Sequence, residues 1–167
     1  MKIGIISDSH GRAKRLRAAI DLLARRGVEA VVHCGDVMSV ECVEMLGLCG
    51  VPAYMVVGNM DRHPERLKDA AERGGVNFAW EVVEVPIGEE KYLVATHGHD
   101  ADVLDTLLIG RQFPYVCHGH THRARNERVG PVRVINPGAL CHPKGSHRPT
   151  AAVLDTDCDT VEIVEVG

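Results

Sequence analysis

The sequence is short of aromatic residues and of long apolar runs. Phe, Trp and Tyr make up 4% of its 167 residues, so it lacks a series of aromatic side chains on which nucleic-acid bases could stack. No segment approaches the roughly 18 consecutive apolar residues of a membrane-spanning helix, so we expect no membrane segment. The chain starts directly with a strand-like run instead of a charged and then apolar leader. We therefore expect a cytoplasmic protein.

An excess of positive charge is also missing. The formal net charge of −4 provides no overall field for nucleic acid or for an acidic membrane surface, so a nucleic-acid partner is not expected. None of the six cysteines forms a CxxC pair, and we predict that they are small buried apolar side chains. A basic group near the N-terminus (Arg12, Lys14, Arg15 and Arg17) falls on an amphipathic helix, where it is predicted to form a solvated face.

Apolar periodicity predicts one α/β domain over residues 1–167. In the first half, apolar strand patterns alternate with helical ones, which is typical of parallel strands covered by helices. The strands are predicted at 2–7, 29–36 and 53–59, and the helices at 12–27, 39–48 and 62–73. The second half is richer in strands: a hairpin over 80–98, a helix over 100–110, and strands at 114–119, 131–136, 150–155 and 160–166. Two sheets packed face to face with helices outside would satisfy both halves.

Side chains that can bind metals follow five of the apolar strands, usually beside a glycine. They are Asp8, His10, Asp36, Asn59, His97, His120 and His122. The carboxyl ends of strands are where α/β sheets bind ligands, and in extended chain the i, i+2 pairs would point to the same side. The set has nitrogen and oxygen donors but no thiolate, which favours a hard or borderline divalent ion. Seven donors are too many for one catalytic ion with an open position, and they suit two ions that share a carboxylate and clamp a phosphate.

The motifs "SDSHG", "CGDV", "GNMD", "THGH" and "HGHTH", in this order, resemble those of the calcineurin-like metallophosphoesterases. The small single-domain bacterial and archaeal phosphodiesterases of that superfamily are the most similar type. The resemblance implies a four-layer α/β/β/α sandwich, with two mixed sheets flanked by helices. It also implies that Asp8, His10 and His122 hold one ion. Asn59, His97 and His120 would hold the other, with Asp36 as the bridge.

These residues predict a dinuclear-metal-dependent phosphoesterase in which a metal-bridging hydroxide attacks a phosphodiester. Two divalent ions, two carboxylates and one hydroxide sum to about +1, a charge that attracts an anionic phosphate. Mn²⁺ is the first expectation for both ions, with Ni²⁺, Fe, Zn²⁺ and Mg²⁺ as alternatives. The expected partner is a small phosphate-ester substrate, and the sequence leaves a homo-oligomer open.

Residue 60 departs from the family pattern. Many superfamily enzymes have "GNH", whose histidine protonates the leaving group, whereas this chain has Met60. We therefore add Asp61 and His99 to Asp36 and Asn59 as candidate catalytic residues, with His63 and a water left open as proton donors. Several other polar residues are held back from the ligand set. His33 and His118 are predicted to be hydrogen-bonded supports, Asn136 to shape a turn, and His142 and His147 to lie in a loop that could reach the phosphate.

Two other functions compete with this hypothesis. One is a non-catalytic scaffold on the same fold, like a retromer subunit that has lost part of the metal chemistry. Such a scaffold has no physical need for all seven donors. The other is a phosphomonoesterase or nuclease of the superfamily, although 167 residues leave little chain for a capping domain or a nucleic-acid groove.

Overall fold

The computed structural model describes residues 1–145 and 148–167, and it alternates strands and helices through the first half before strands predominate. The elements follow in the order β1 (Lys2–Ile6), α1 (Ala13–Arg25), β2 (Ala30–His33), α2 (Val40–Gly47), β3 (Ala53–Val56), α3 (Pro64–Gly74), β4 (Asn77–Ala79), β5 (Val82–Gly88), β6 (Lys91–Thr96), α4 (Ala101–Gly110), β7 (Tyr115–Cys117), β8 (Ala124–Val129), β9 (Val132–Pro137), β10 (Thr150–Asp155) and β11 (Thr160–Glu165).

The strands form two mixed sheets. The first has the order β11-β10-β1-β2-β3-β4, in which β1 to β4 run parallel and β10 and β11 are antiparallel additions. The second has the order β5-β6-β7-β9-β8, with a parallel centre and an antiparallel strand at each edge. The parallel centres bring the carboxyl ends of β1, β2, β3, β6 and β7 toward one end of the molecule, where polar loops can meet.

Three helices cover the outer face of the first sheet. Leu16, Ala19, Ile20 and Leu23 stand at the spacing of one helix face in the sequence, and all four are buried in α1. Ser39 caps α2 by accepting a hydrogen bond from the backbone N–H of Cys42 at 3.2 Å. Helix α3 starts at Pro64, whose missing N–H costs nothing in the first turn, and ends at Gly75 in the left-handed conformation. Each helix therefore begins and ends where its sequence allows, with its apolar face on the sheet.

Apolar side chains of both sheets meet in the middle of the molecule. Ile3, Ile5 and Val32 of the first sheet share a buried cluster with Leu93 and Ile135 of the second. Helix α4 covers the outer face of the second sheet and has no fully buried residue. The layers are thus helices, sheet, sheet and helix, which confirms the predicted four-layer fold with two mixed sheets.

Two strands escaped the sequence-based prediction. Strand β4 has only three residues, too few for a periodic signal. Strand β8 has the polar sequence ARNERV and is mostly exposed at a sheet edge, so it lacks the apolar alternation of a half-buried strand. The cysteine prediction was wrong in part, because Cys158 is exposed and Cys49 is only partly buried. In the described parts of the chain, no helix has the length and apolar character that crossing a membrane requires.

Candidate metal centre

All seven predicted donors lie in loops that follow strands of the two sheets. Asp8 and His10 follow β1, Asp36 follows β2 and Asn59 follows β3. His97 follows β6, while His120 and His122 follow β7. The first sheet therefore provides both carboxylates and the amide, and the second provides only imidazoles. The site exists only because the carboxyl ends of the two sheets lie side by side.

The backbone at these positions is not extended, contrary to the sequence-based expectation for the i, i+2 pairs. Asp8 and His10 have φ of 54° and 44°, and His120 and His122 have φ of 64° and 58°. The expectation failed because these residues lie beyond the strand ends, where the chain turns in the left-handed region. As a consequence, His120 and His122 do not act as a pair but contact different groups of donors.

The first group consists of Asp8, His10 and His122. His122 Nε2 lies 3.1 Å from Asp8 Oδ1 and 3.3 Å from His10 Nε2. His10 Nε2 is 3.8 Å from Asp8 Oδ1. One ligand atom from each of the three residues therefore lies within reach of a single ion.

The second group is centred on Asn59, whose Oδ1 lies 3.0 Å from His97 Nε2 and 3.1 Å from His120 Nδ1. Asp36 lies between the groups. Its Oδ2 is 3.5 Å from His97 Nε2 and 3.8 Å from His10 Nε2, so the same carboxylate oxygen faces both. The two groups have the composition that the family resemblance implies, with Asp36 in the position of a shared ligand.

The hydrogen bonds of the imidazoles determine which atoms face the centre. His97 Nδ1 lies 2.8 Å from the carbonyl oxygen of Cys34, and His122 Nδ1 lies 3.0 Å from that of His142. Each of these nitrogens must carry the proton, so in the neutral ring Nε2 presents a lone pair. The lone pair of His97 faces Asn59 Oδ1, and that of His122 faces Asp8 Oδ1. Both oxygens are acceptors. Lone pairs that converge on lone pairs need either a proton or a metal cation between them.

Asp8 provides a second sign that the site suits a cation. Its side chain is fully buried and its Oδ1 has no hydrogen-bond partner, although His122 is close. Its Oδ2 accepts a hydrogen bond from the backbone N–H of His120 at 3.1 Å. A buried carboxylate oxygen without a donor is costly unless a cation neutralises it. The donor set and this oxygen both fit divalent metal.

The centre is deepest on the side of the carboxylates and opens toward solvent. Asp8, Asp36 and His97 are buried, His10 and His122 are partly buried, and Asn59 and His120 are exposed. A glycine allows the closest approach on the buried side. A side chain on Gly119 would collide with the hydroxyl of Ser7 and crowd Asp8 Oδ2. The burial gradient leaves one face of the centre accessible to a ligand.

The pKa shifts describe how the centre holds protons without metal. Burial alone would lower the pKa of His97, but contact with Asp36 outweighs it and the pKa is raised. Burial tends to raise the pKa of Asp36, and His97 reverses that effect so that the pKa falls. The pair can therefore share a proton in the metal-free protein. Metal would displace that proton, since ligands bind in their deprotonated form.

The supporting residues are hydrogen-bonded as the sequence predicted. His33 Nε2 lies 3.0 Å from the hydroxyl of Ser9, in the loop between Asp8 and His10. His118 lies beside Asn136, whose amide donates to the carbonyl of Gly119 at 2.8 Å and whose Oδ1 accepts from Gly138 N–H at 2.9 Å. The bonds of Asn136 shape a turn, as predicted, and also tie the histidine loop to β9. Of the loop histidines, His142 touches the site through its carbonyl, and His147 lies outside the described residues.

The candidate proton donors occupy different environments. Asp61 is buried, and its oxygens accept hydrogen bonds from Met38 N–H at 2.6 Å and Gly58 N–H at 2.8 Å. Burial raises its pKa, yet its contacts fix the loops around Met38 and Asn59. His99 is exposed at the rim, with its ring centroid 5.4 Å from that of His97 and 6.3 Å from that of His120. His63, the cap residue of α3, lines a cavity beside the centre.

Sequence reasoning missed one residue of the site. Met38 has a φ of 64°, and its sulfur lies 3.0 Å from His10 Nδ1. A thioether is a weak acceptor, so it can receive the His10 N–H and leave Nε2 free to face the centre. The only sequence signal is its position directly after the "GDV" motif, and methionine carries no chemical indication of such a role.

Comparison with known proteins agrees with this geometry. Residues 1–159 match the model of the calcineurin-like phosphoesterase superfamily domain. Phosphodiesterase MJ0936 of Methanocaldococcus jannaschii is 35% identical over 162 residues, covering 94% of each chain. Phosphodiesterase YfcE of Escherichia coli is 26% identical over 170 residues, covering 94% of this chain and 89% of that protein. A solved structure described as a novel archaeal phosphodiesterase superposes with a TM-score of 0.88 at 31% identity, covering 99% of both chains.

The sandwich of two sheets with an Asp/His cluster at its carboxyl edge defines a metal-dependent phosphoric ester hydrolase. The chain belongs to the calcineurin-like phosphoesterase superfamily.

Proposed function

We propose that this protein hydrolyses a phosphodiester with two divalent ions, most naturally Mn²⁺, held by the seven donors. The observation that carries the proposal is the convergence of imidazole and carboxylate ligand atoms in two groups, with the buried Asp8 Oδ1 lacking a hydrogen-bond donor. One ion would be held by Asp8, His10 and His122, and the other by Asn59, His97 and His120. Asp36 would bind both ions. When bound, the ions supply a hydroxide at neutral pH and neutralise the phosphoryl oxygens.

The protein's own residues orient the ligands. The carbonyls of Cys34 and His142 fix His97 and His122 with Nε2 toward the centre. Met60 N–H donates to Asp36 Oδ1 at 2.8 Å, which leaves Oδ2 for the centre. Asp61 holds the loop of Asn59 in place through Gly58 N–H. We assign Asp61 this positioning role, since both of its oxygens already accept backbone hydrogen bonds.

We propose His99 as the proton donor for the leaving oxygen. It is exposed at the open side of the centre, beside the ligands His97 and His120. Histidine can exchange protons near neutral pH, as general acid catalysis requires. The small chain and the open site favour a small or exposed phosphate ester as the substrate.

The decisive experiment is turnover of bis-p-nitrophenyl phosphate by chelator-treated protein with and without Mn²⁺. We expect activity that returns with metal and falls about 10³-fold in Asp36→Asn, because the variant loses the shared negative charge. Asp69→Asn, at an exposed carboxylate of α3, is the matched control and should retain full activity. Failure of Mn²⁺ to produce turnover would refute the proposal.

Elemental analysis and substrate comparison separate the competing functions. Two ions per chain are expected, and clearly less than one would favour a scaffold. Faster hydrolysis of p-nitrophenyl phosphate than of its diester would indicate a phosphomonoesterase. Single-stranded DNA as the best substrate would indicate a nuclease.

A further inference from the structure

A small cavity adjoins the metal centre between the loops that follow β2 and β3. Its volume is about 350 Å³, enough for one aromatic ring system. Its apolar lining consists of Met38, Val40, Met60 and Leu67, and Arg62 and Arg66 also border it. We call these four apolar residues and the space between them the methionine pocket.

The methionine pocket is directly connected to the donors. The sulfur of Met38 lies 3.0 Å from His10 Nδ1, and the backbone N–H of Met60 donates to Asp36 Oδ1. The two methionines therefore lie within reach of a substituent on a phosphate held at the centre. A remote apolar patch could not contact the substrate in this way.

Both methionines expose apolar surface where a soluble domain usually avoids it. Met38 is 40% exposed and Met60 37% exposed. The other large apolar residues with comparable exposure in the described parts of the chain, Tyr92 at 39% and Val129 at 38%, do not line this cavity. Flexible thioethers pack well against aromatic rings, with the sulfur near the ring edge. Two of them on one side of a polar centre are suited to a flat, apolar substituent.

The chemistry at position 60 favours the same kind of substituent. Met60 cannot protonate a leaving oxygen, so this position gives no assistance to a poor leaving group. Phenolic oxygens leave more readily without protonation than alkoxides do, because their conjugate acids are stronger. The pocket and the lack of an acid at position 60, which borders it, are thus consistent with one ester type.

We propose that the methionine pocket binds an aromatic ring attached to the phosphate, so that the enzyme prefers aryl phosphate esters. The proposal rests on the phosphoesterase function proposed above and goes further by assigning the substituent. The ring would lie against the thioethers of Met38 and Met60. Arg62 and Arg66 at the edge would suit a ring that carries hydrogen-bond acceptors or a negative charge.

The test compares phenylphosphonate with methylphosphonate, which share a phosphoryl group and differ only in the substituent. Titration calorimetry with the Mn²⁺-loaded protein should give a Kd for phenylphosphonate about tenfold lower. The ratio should fall to about twofold or less in Met60→Gln and in Met38→Gln, which have similar volume but a polar end. Leu48→Gln changes an equally apolar, exposed residue at the far end of α2 and should keep the tenfold ratio.

Each variant is its own control. Its Kd for methylphosphonate measures binding at the metal centre, and the ratio of the two Kd values measures binding in the methionine pocket. Met60→Ser serves as a further variant if either glutamine protein folds poorly. A wild-type ratio near one would overturn the methionine pocket, and so would a ratio unchanged by all of the methionine substitutions. If the wild type hydrolyses bis-p-nitrophenyl phosphate while its ratio is near one, only the pocket is refuted. If neither phosphonate binds and metal gives no turnover, the proposed function fails and the pocket with it.

Discussion

The first sheet carries three helices on its outer face, and the second carries one. Leu16, Leu23 and Leu46 are completely buried between the helices and the first sheet. On the second sheet, α4 contributes only partly buried side chains, such as Leu104 and Leu107. The donors differ too, since both carboxylates follow strands of the first sheet and three of the four imidazoles follow strands of the second. The first sheet thus provides most of the packing and the negative charge. The second provides imidazole ligands and is covered by a single helix.

The largest test of this difference is metal affinity. Asp8→Asn removes a charge that belongs to the first sheet, and His122→Asn removes a neutral ligand that belongs to the second. We expect Mn²⁺ affinity to fall about 10³-fold in Asp8→Asn and about 10–100-fold in His122→Asn, measured by competition with a chromophoric chelator. Without metal, Asp8→Asn should melt at a higher temperature than the wild type, because a buried unpaired charge is gone. Equal losses of Mn²⁺ affinity in the two variants would contradict the expected difference between a carboxylate and an imidazole ligand.

Core truncations test the packing half of the comparison. Leu16→Ala in α1 should lower the free energy of unfolding by about 3 kcal/mol, since a fully buried side chain leaves a cavity. Leu107→Ala in α4 should cost about 1 kcal/mol, because its side chain is only partly buried. Urea denaturation of both variants at one pH would measure the difference. Similar losses would show that the single helix matters as much as the other three.

Each sheet also buries one histidine that should stay neutral, which gives a matched pH test. Burial lowers the pKa of His33, in β2, to about 3 and that of His118, after β7, to about 4. Unfolded histidine titrates near pH 6.5, so their stabilising effect is complete above that pH and is lost as the pH falls toward the folded values. As the pH falls from about 6 to about 4, each of these histidines should lower the free energy of unfolding by about 1.4 kcal/mol per pH unit.

His97 does not distort that slope, because its raised pKa gives a contribution already complete below about pH 6.5 and lost only at higher pH. The lowered pKa of Asp36 means that its contribution disappears only in stronger acid. Urea midpoints in chelator at pH 6.5, 5.5 and 4.5 would measure the effect. His33→Gln should make the slope shallower, although His10 and His120, whose pKa values burial also lowers, contribute to it in the same direction. A slope unchanged in both His33→Gln and His118→Gln would contradict the assignment.

The smallest expected effect concerns the exposed rim of the second sheet. His99→Gln should slow hydrolysis of esters with alkoxide leaving groups about tenfold and leave p-nitrophenyl esters nearly unchanged. The comparison of leaving groups distinguishes proton donation from a structural role. His63→Gln, on the first-sheet side, is the control and should show no such dependence.

The elements that the sequence predicted well are those with strong apolar periodicity, as in α1, whose buried residues follow the helical spacing. The set of donors was also predictable, because polar groups with ligand atoms recur after apolar strands. Their conformation was not. Extended geometry predicted that His120 and His122 would point to the same side, but both have left-handed backbone and contact different groups of donors, as the family resemblance implied. Strand β8 was missed because none of its side chains is fully buried, so no apolar pattern marks it. Met38 was missed because its contact with His10 is purely tertiary.

Those left-handed turns have a consequence for how the site comes into existence. Six of its loop residues other than glycine have positive φ: Asp8, His10, Asp36, Met38, His120 and His122. Such a conformation costs on the order of 1 kcal/mol per residue in an isolated chain. An isolated peptide with the sequence of one of these loops would rarely adopt this conformation. Moving the loops onto another pair of strands would not reproduce the centre. The capacity to hold cations therefore arises late, when the two sheets dock, and belongs to the assembled sandwich rather than to any local segment.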